Sequence, residues 1–149
     1  MDAFSEILSG VKLNGAVFFN AEFSCPWGFA SPASHTLAST LAPGAPHLVI
    51  YHLLTEGVAA AQMEDGQTIA LEPGDVVIFP HGDSHVIRSR IAPAQSESHS
   101  EIMQKLMNRD LTPLRAGGGG ETARFVCGFM ACDPHLGRPI LSDCLPFSR

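Results

Sequence analysis

Histidine and cysteine side chains in two parts of the chain could bind one metal ion. His81 and His85 lie on either side of a Gly-Asp turn, and Cys127 and Cys132 lie in one apolar segment. Two imidazoles and two thiolates match a closed, tetrahedral zinc site, which would be structural or redox-sensing because it has no open position. The spacings are wider than those of common zinc fingers. The alternatives are therefore two buried free thiols, or a redox-sensitive thiol at Cys127.

The zinc hypothesis places a demand on the strand that carries the cysteines. Positions 127 and 132 have opposite parity, so in a regular strand their side chains point to opposite faces. Both thiolates reach one ion only if the strand bulges or ends between them, and Gly128 makes a bulge feasible.

A third histidine lies inside an apolar segment. HLVIYHLLTEG (47–57) is typical of a buried strand, and alternation places Leu48, Ile50, His52 and Leu54 on one inner face. A buried imidazole needs a partner. Ligand contact and a structural hydrogen bond are both open for His52.

Short apolar segments separated by Gly and Pro turns position these residues. Strands are predicted over 15–23, 47–57, 58–64, 67–74, 75–80, 85–89 and 122–132. Helical pieces are predicted over 2–9 and 100–109 and around 139–144, while 24–34 is turn-rich and the glycine run at 117–120 is a flexible joint. Many short strands and little helix indicate an all-β antiparallel sandwich or barrel.

Composition limits the class of protein further. The 149 residues fit one domain, 1–149, and the net charge of −6 argues against direct binding of nucleic acid phosphates by this chain. Neither a long apolar run nor a basic N-terminal leader is present, which predicts a cytoplasmic protein without a membrane span.

The segment GDVVIFPHGDSH (74–85) has the pattern G-x5-P-x-G-x2-H. It resembles the second conserved motif of the cupin superfamily, whose fold is a small jelly-roll barrel, a double-stranded β-helix. The resemblance implies that His85 begins a strand and directs its ring into the barrel. The first cupin motif of the metal-dependent enzymes is degenerate here: with its final glycine at Gly57, Ile50 stands at the glutamate position and no H-x-H pair precedes it.

More of the chain resembles the cupin-type sensor domain of AraC-family transcription regulators. The shared order is an N-terminal helix, GAVFF, PWG, HLLTEG, LEPGDVVIFPHGDSHVI, a glycine run and FVCGFMACD. The resemblance implies a non-enzymatic domain that binds a small effector or a metal, forms a homodimer, and contacts DNA only through a C-terminal segment that these 149 residues do not include. The alternative is a small metal-dependent cupin enzyme, dioxygenase-like or isomerase-like, with a degenerate first motif.

Within this fold, two sets of site residues are predicted. The metal set is His81, His85, Cys127 and Cys132, with zinc as the ion, and the ligand-binding set is His52, His85, Trp27 and Ile50. Trp27 follows a proline in a turn, where packing and a place at the barrel mouth are both open. No catalytic residue is predicted, because a hydrolytic triad and a phosphate-binding glycine loop are both missing from the sequence.

Overall fold

A computed structural model describes residues 13–31, 48–91, 102, 104, 105 and 107–132, and only the backbone of 13–18 and 132. Nine strands lie in this part of the chain, and residues 102, 104, 105 and 107 are helical. The strands are β1 Leu13–Ser24, β2 Gly28–Ser31, β3 Val49–Glu56, β4 Ala59–Met63, β5 Thr68–Leu71, β6 Val76–Phe79, β7 His85–Arg88, β8 Leu114–Gly117 and β9 Thr122–Cys132. The predicted all-β class is confirmed. The helical pieces expected over 2–9 and around 139–144 fall outside the described residues.

The strands form two sheets that enclose one core, as expected for a jelly roll. The first sheet has the order β6-β3-β9-β1-β8, and the second has the order β2-β7-β4-β5. Strands distant in sequence are neighbours, since β9 lies between β1 and β3. One pair, β1 with β8, is parallel, whereas the sequence indicated antiparallel pairing throughout.

Alternation in β3 follows the sequence prediction. Leu48, Ile50, His52 and Leu54 are all buried, while Tyr51 and Leu53 between them are partly exposed. The facing sheet contributes Ala59, Ala61, Leu71 and Ile87 to the same core. The two apolar faces therefore bury each other, and this burial is the main force that holds the sheets together.

Two strands were missed in the sequence. β2 lies in the segment predicted to be turn-rich, although Trp27, Phe29 and Ser31 alternate inward as in any half-buried strand. β8 has Leu114 as its one fully buried residue, so its sequence shows no alternation, and it forms through backbone pairing with β1. The prolines that flank β2 and the polar character of β8 conceal both strands from pattern analysis.

The glycine run is not the flexible joint that its composition suggested. The amide of Gly118 donates to the Ser24 carbonyl, and the amide of Gly120 donates to the Cys25 carbonyl, at 3.0 and 2.9 Å. A Cβ on Gly120 would lie 2.6 Å from the Cys25 oxygen. The glycines therefore permit a close backbone approach in the β8–β9 turn.

Candidate functional site

The turn before β7 aims His85 into the core. Gly82 has a φ of 64°, a left-handed conformation suited to glycine, and its amide bonds to the Phe79 carbonyl at 3.0 Å. The His85 ring then stacks on the Phe79 ring, with 3.6 Å between centroids and 6° between planes. His85 is 2% exposed. The predicted inward placement of this motif histidine is confirmed.

His52 connects the two sheets. Its Nε2 lies 2.8 Å from Nε2 of His85 in the facing sheet. Its Nδ1 lies 2.8 Å from Sγ of Cys127, the residue paired with His52 in the β3–β9 ladder. His52 is also 2% exposed, so its predicted inward placement is confirmed. We call the series Cys127, His52, His85 and the Asp83 carbonyl the buried chain.

The carbonyl at one end sets the direction of every proton in the buried chain. Nδ1 of His85 lies 2.7 Å from the Asp83 oxygen, which can only accept, so Nδ1 carries the hydrogen. In the neutral ring Nε2 of His85 is then an acceptor, and Nε2–H of His52 donates to it. Nδ1 of His52 in turn accepts from the Cys127 thiol. One assignment of tautomers satisfies all three contacts.

Burial keeps each group of the buried chain neutral. Desolvation lowers the pKa of His52 well below its usual range, and the neighbouring His85 lowers it further. Burial lowers the pKa of His85 to about 4, against the opposing effect of its bond to the Asp83 backbone. Burial raises the pKa of the Cys127 thiol. These directions agree with the uncharged assignment. A second proton on His85 would place two N–H donors face to face at the contact between the Nε2 atoms of His52 and His85.

The buried chain leaves little capacity for direct chemistry. Both ring nitrogens of His52 and of His85 have hydrogen-bond partners within the buried chain. The thiol of Cys127 is protonated and buried, which makes it a poor nucleophile. The arrangement is suited to a structural role: it is a polar connection between two sheets across an otherwise apolar core.

The predicted zinc set is only partly brought together. His85 and Cys127 lie on opposite sides of the His52 ring, and His81 lies half-buried in the turn. Within the part of the chain that the structure describes, no three or more His, Cys, Asp or Glu residues form a group able to hold a metal ion. The side chain of Cys132 is outside that part, so the four-residue site stays a prediction.

The zinc hypothesis needed β9 to bulge or end between Cys127 and Cys132, and Gly128 is not the place of such a bulge. Gly128 pairs in register with Phe18 of β1 and Tyr51 of β3. The irregularity near the end of the β1–β9 ladder lies between Leu13 and Ala16, so the extra residue belongs to β1. A Cβ on Gly128 would lie 2.5 Å from atoms of the Tyr51 ring, so the glycine provides room for that ring.

The predicted ligand-binding residues lie in three different surroundings. His52 and His85 belong to the buried chain, and Ile50 is fully buried in the core between Phe79 and Phe129, its partners on the adjacent strands. Trp27 is also buried, but it lines a cleft at the other end of β7. The pairing of His52 with Cys127 was not anticipated. The inward parity of His52 was the one sequence signal that pointed to it.

Comparison with known proteins identifies the family. A family model described as Cupin matches residues 2–146, and the chain belongs to this family. Together with the regulator relative described next, this match supports the resemblance to the cupin domain of AraC-type regulators. The HTH-type transcriptional regulator AlkR of Acinetobacter baylyi is 29% identical over 87 residues, which is 58% of this chain and 24% of that protein. The match therefore spans about a quarter of the relative's length.

Solved structures show weaker likenesses. Protein NMB1881 from Neisseria meningitidis has a TM-score of 0.44 at 10% identity, covering 88% of this chain and 98% of its own. The Cnp3 cupin domain of Schizosaccharomyces pombe has a TM-score of 0.42 at 13% identity, with 89% and 71% covered. Among the described residues, none belongs to a helix with the length and hydropathy of a membrane span.

Proposed function

We propose that this chain is the effector-sensing domain of a transcription regulator. It would bind a small molecule and signal to a DNA-binding segment outside these 149 residues, in a cytoplasmic, homodimeric protein. The similarity to an HTH-type transcriptional regulator supports the regulatory class. The observation that carries the proposal is the closed buried chain, in which the two histidines satisfy each other.

The same observation disfavours the alternative of a metal-dependent cupin enzyme. Such an enzyme needs imidazole nitrogens free to bind the ion and, by the family pattern, a carboxylate on β3. Here the nitrogens of His52 and His85 bond to protein groups, and Ile50 occupies the carboxylate position with no exposure. A first-row metal would have to break two hydrogen bonds and would find an apolar side chain in place of an oxygen ligand.

The proposal is tested with the full-length gene product and the DNA upstream of its own gene. We expect saturable binding of that DNA, and we expect one member of a panel of small metabolites to change the affinity or the footprint. A variant with the buried chain broken, His52→Leu, should bind DNA but lose the response if the sheets transmit the signal. His81→Leu is the matched control, because His81 lies half-buried in the turn before β7 and outside the buried chain.

Two results would contradict the regulatory role. One is a full-length product that shows no sequence-selective DNA binding with or without metabolites. The other is turnover of a substrate by protein loaded with iron, manganese or zinc, provided that the activity is lost in His85→Gln. The second result would restore the enzyme class.

A further inference from the structure

A cleft of about 180 Å³ opens at the end of the sandwich remote from the buried chain. Its lining includes Trp27, Val58, Ser89, Arg90, Ile91 and Glu121, which lie in four segments that connect strands. Ser89 follows the last residue of β7, whereas His85 is the first residue of that strand. At about 3.3 Å per residue, roughly 13 Å of strand separates the two places. The cleft is therefore distinct from the histidine site.

The walls of the cleft are mostly apolar. The Trp27 indole packs against the Phe23 and Phe125 rings, with centroids 5.0 and 5.4 Å away, and it is held at 1% exposure. Val58 forms another part of the wall, and Ile91 at the rim is 67% exposed. An isoleucine so exposed beside an apolar cavity would lose contact with water if a ligand covered it.

Hydrogen bonds hold the segments around the cleft in place. The Trp27 amide donates to Ser89 Oγ at 2.9 Å, and the Ser89 amide donates to the Trp27 carbonyl at 3.0 Å. The Cys25 amide donates to the Glu121 carbonyl at 2.8 Å. The first two bonds extend the β2–β7 pairing of one sheet, and the third extends the β1–β9 pairing of the other. The lining residues Ser89 and Glu121 come from these two sides. The cleft is thus preformed, and a ligand in it touches both sheets.

Size and charge restrict the ligand. Cavities of about 150 Å³ accept a benzene ring, so this cleft accommodates one ring with a small substituent and excludes sugars with large appendages or nucleotides. Arg90 and Glu121 line the cleft with opposite charges. An ion of either sign would meet one attractive and one repulsive neighbour. A neutral group that both donates and accepts hydrogen bonds is suited to both.

We infer that this cleft is a binding site for a neutral, ring-sized, mostly apolar molecule that carries one hydroxyl or amide group. The molecule would lie against Val58 and Ile91, with the buried Trp27 beneath them and its own polar group between Arg90 and Glu121. The identification of this cleft as the effector site rests on the proposed function. Its identification as a binding site does not depend on that function.

Trp27 provides a direct probe, because it is the single tryptophan of the chain. The experiment is a tryptophan fluorescence titration of the 149-residue chain with benzyl alcohol, with toluene, benzoate and benzylamine as comparison ligands. We expect saturable change with benzyl alcohol and a Kd of about 10⁻⁴ to 10⁻³ M, which is reasonable for so few atoms. The two ions should bind at least about threefold more weakly, because each loses hydration in the cleft while the attraction of one charged neighbour is offset by the repulsion of the other.

Three variants locate the site. Val58→Phe should fill the cleft and weaken binding by about tenfold or more, and Ile91→Ala should weaken it by about threefold with the fold intact, since Ile91 is largely exposed. Val126→Phe adds the same volume on the outer face of β9, where its neighbours Phe125 and Cys127 point inward, and should leave binding unchanged.

Absence of a saturable change with benzyl alcohol overturns the inference, as does equal binding of it by Val58→Phe, Ile91→Ala and the parent. If Val58→Phe does not fold, as judged by circular dichroism, Ile91→Ala decides alone. Binding that is lost in the cleft variants, in a full-length protein that never binds DNA, would support the cleft and contradict the regulatory function. A metabolite response that both cleft variants retain would support the regulatory function and contradict the cleft as the effector site.

Discussion

Three side chains and one carbonyl define the polar centre of this domain, and their protons are determined by a single acceptor. Because the Asp83 carbonyl can only accept, the tautomers of His85 and His52 and the orientation of the Cys127 thiol follow in sequence. Removal of any member leaves a buried group without its partner. Such a loss typically costs about 1–3 kcal/mol of stability.

The histidine pKa shifts predict acid lability. Between the unfolded value near 6.5 and the folded value of about 4 for His85, the unfolded chain binds the extra proton and the folded chain does not. Stability therefore rises with pH across this window and is lost as the pH falls through it, by up to about 1.4 kcal/mol per pH unit for each histidine. His52, whose pKa is also lowered, adds to the effect.

Urea denaturation from pH 7 to pH 4 measures this dependence. The parent should lose stability steeply, and His85→Gln, although less stable at pH 7, should show a shallower slope. His81→Gln is the control, because His81 lies half-buried in the preceding turn and outside the buried chain. Parallel slopes for the parent and His85→Gln would contradict the burial of a neutral imidazole.

The buried chain and the zinc hypothesis make different predictions for Cys132. In the buried chain Cys127 donates to His52, and the protein purified without chelator should contain no stoichiometric zinc. Cys127→Ser should then lower the free energy of unfolding moderately. Cys132→Ser should leave the zinc content unchanged. Near-stoichiometric zinc that is lost in both variants, with a fall in thermal stability, would instead establish the set His81, His85, Cys127 and Cys132.

At the level of the elements, β9 holds the architecture together because it pairs with both β1 and β3. The register of the β3–β9 pair places Cys127 opposite His52 on the inner face and Gly128 opposite Tyr51 on the outer face. A slip of one residue would exchange these faces. The polar connection in the core and the packing of Tyr51 outside it therefore depend on the same register.

Gly128→Ala tests this register from the outer face. The added Cβ would lie 2.5 Å from the Tyr51 ring, so we expect a loss of about 1–3 kcal/mol in the free energy of unfolding. In a Tyr51→Ala background the same substitution should cost much less, because the ring that it meets is gone. Chemical denaturation of the four proteins gives the coupling energy. Equal costs in the two backgrounds would show that Gly128 does not accommodate Tyr51.

At the scale of the whole molecule, the two ends of the sandwich differ in character. One end is closed over the buried chain, and the other opens into the cleft beside Trp27. Both places involve β7 and residues of the opposite sheet. In the proposed sensor, a ligand at the open end and the polar connection at the closed end would both act on the packing of β7 against the opposite sheet. We propose this packing as the route from effector to signal.

The overall charge leads to a prediction about DNA. With a net charge of −6, the 149-residue chain should show no sequence-selective affinity for the DNA upstream of its gene at moderate salt. The full-length product is the matched comparison in the same mobility-shift titration. Saturable, selective binding by the short chain would place recognition in the cupin domain itself and would revise the division of roles proposed above.

Local features of the sequence were sufficient for the fold class and for part of the site. Alternation from Leu48 to Leu54 placed His52 inside, and the pattern from Gly74 to His85 placed the second histidine at the start of a strand. These features were readable because side-chain direction in a strand has a period of two and because turns require particular residues.

The partners of these residues were decided only by the tertiary structure. His52 contacts Cys127, which is 75 residues away in the sequence, and His85, which is 33 residues away. β8 pairs with β1, about 90 residues earlier in the sequence. The order of strands in a sheet results from the packing of all of them together, and no short segment encodes it. The inward faces of the strands were therefore predictable from sequence, whereas the buried chain and the cleft beside Trp27 required the assembled sheets.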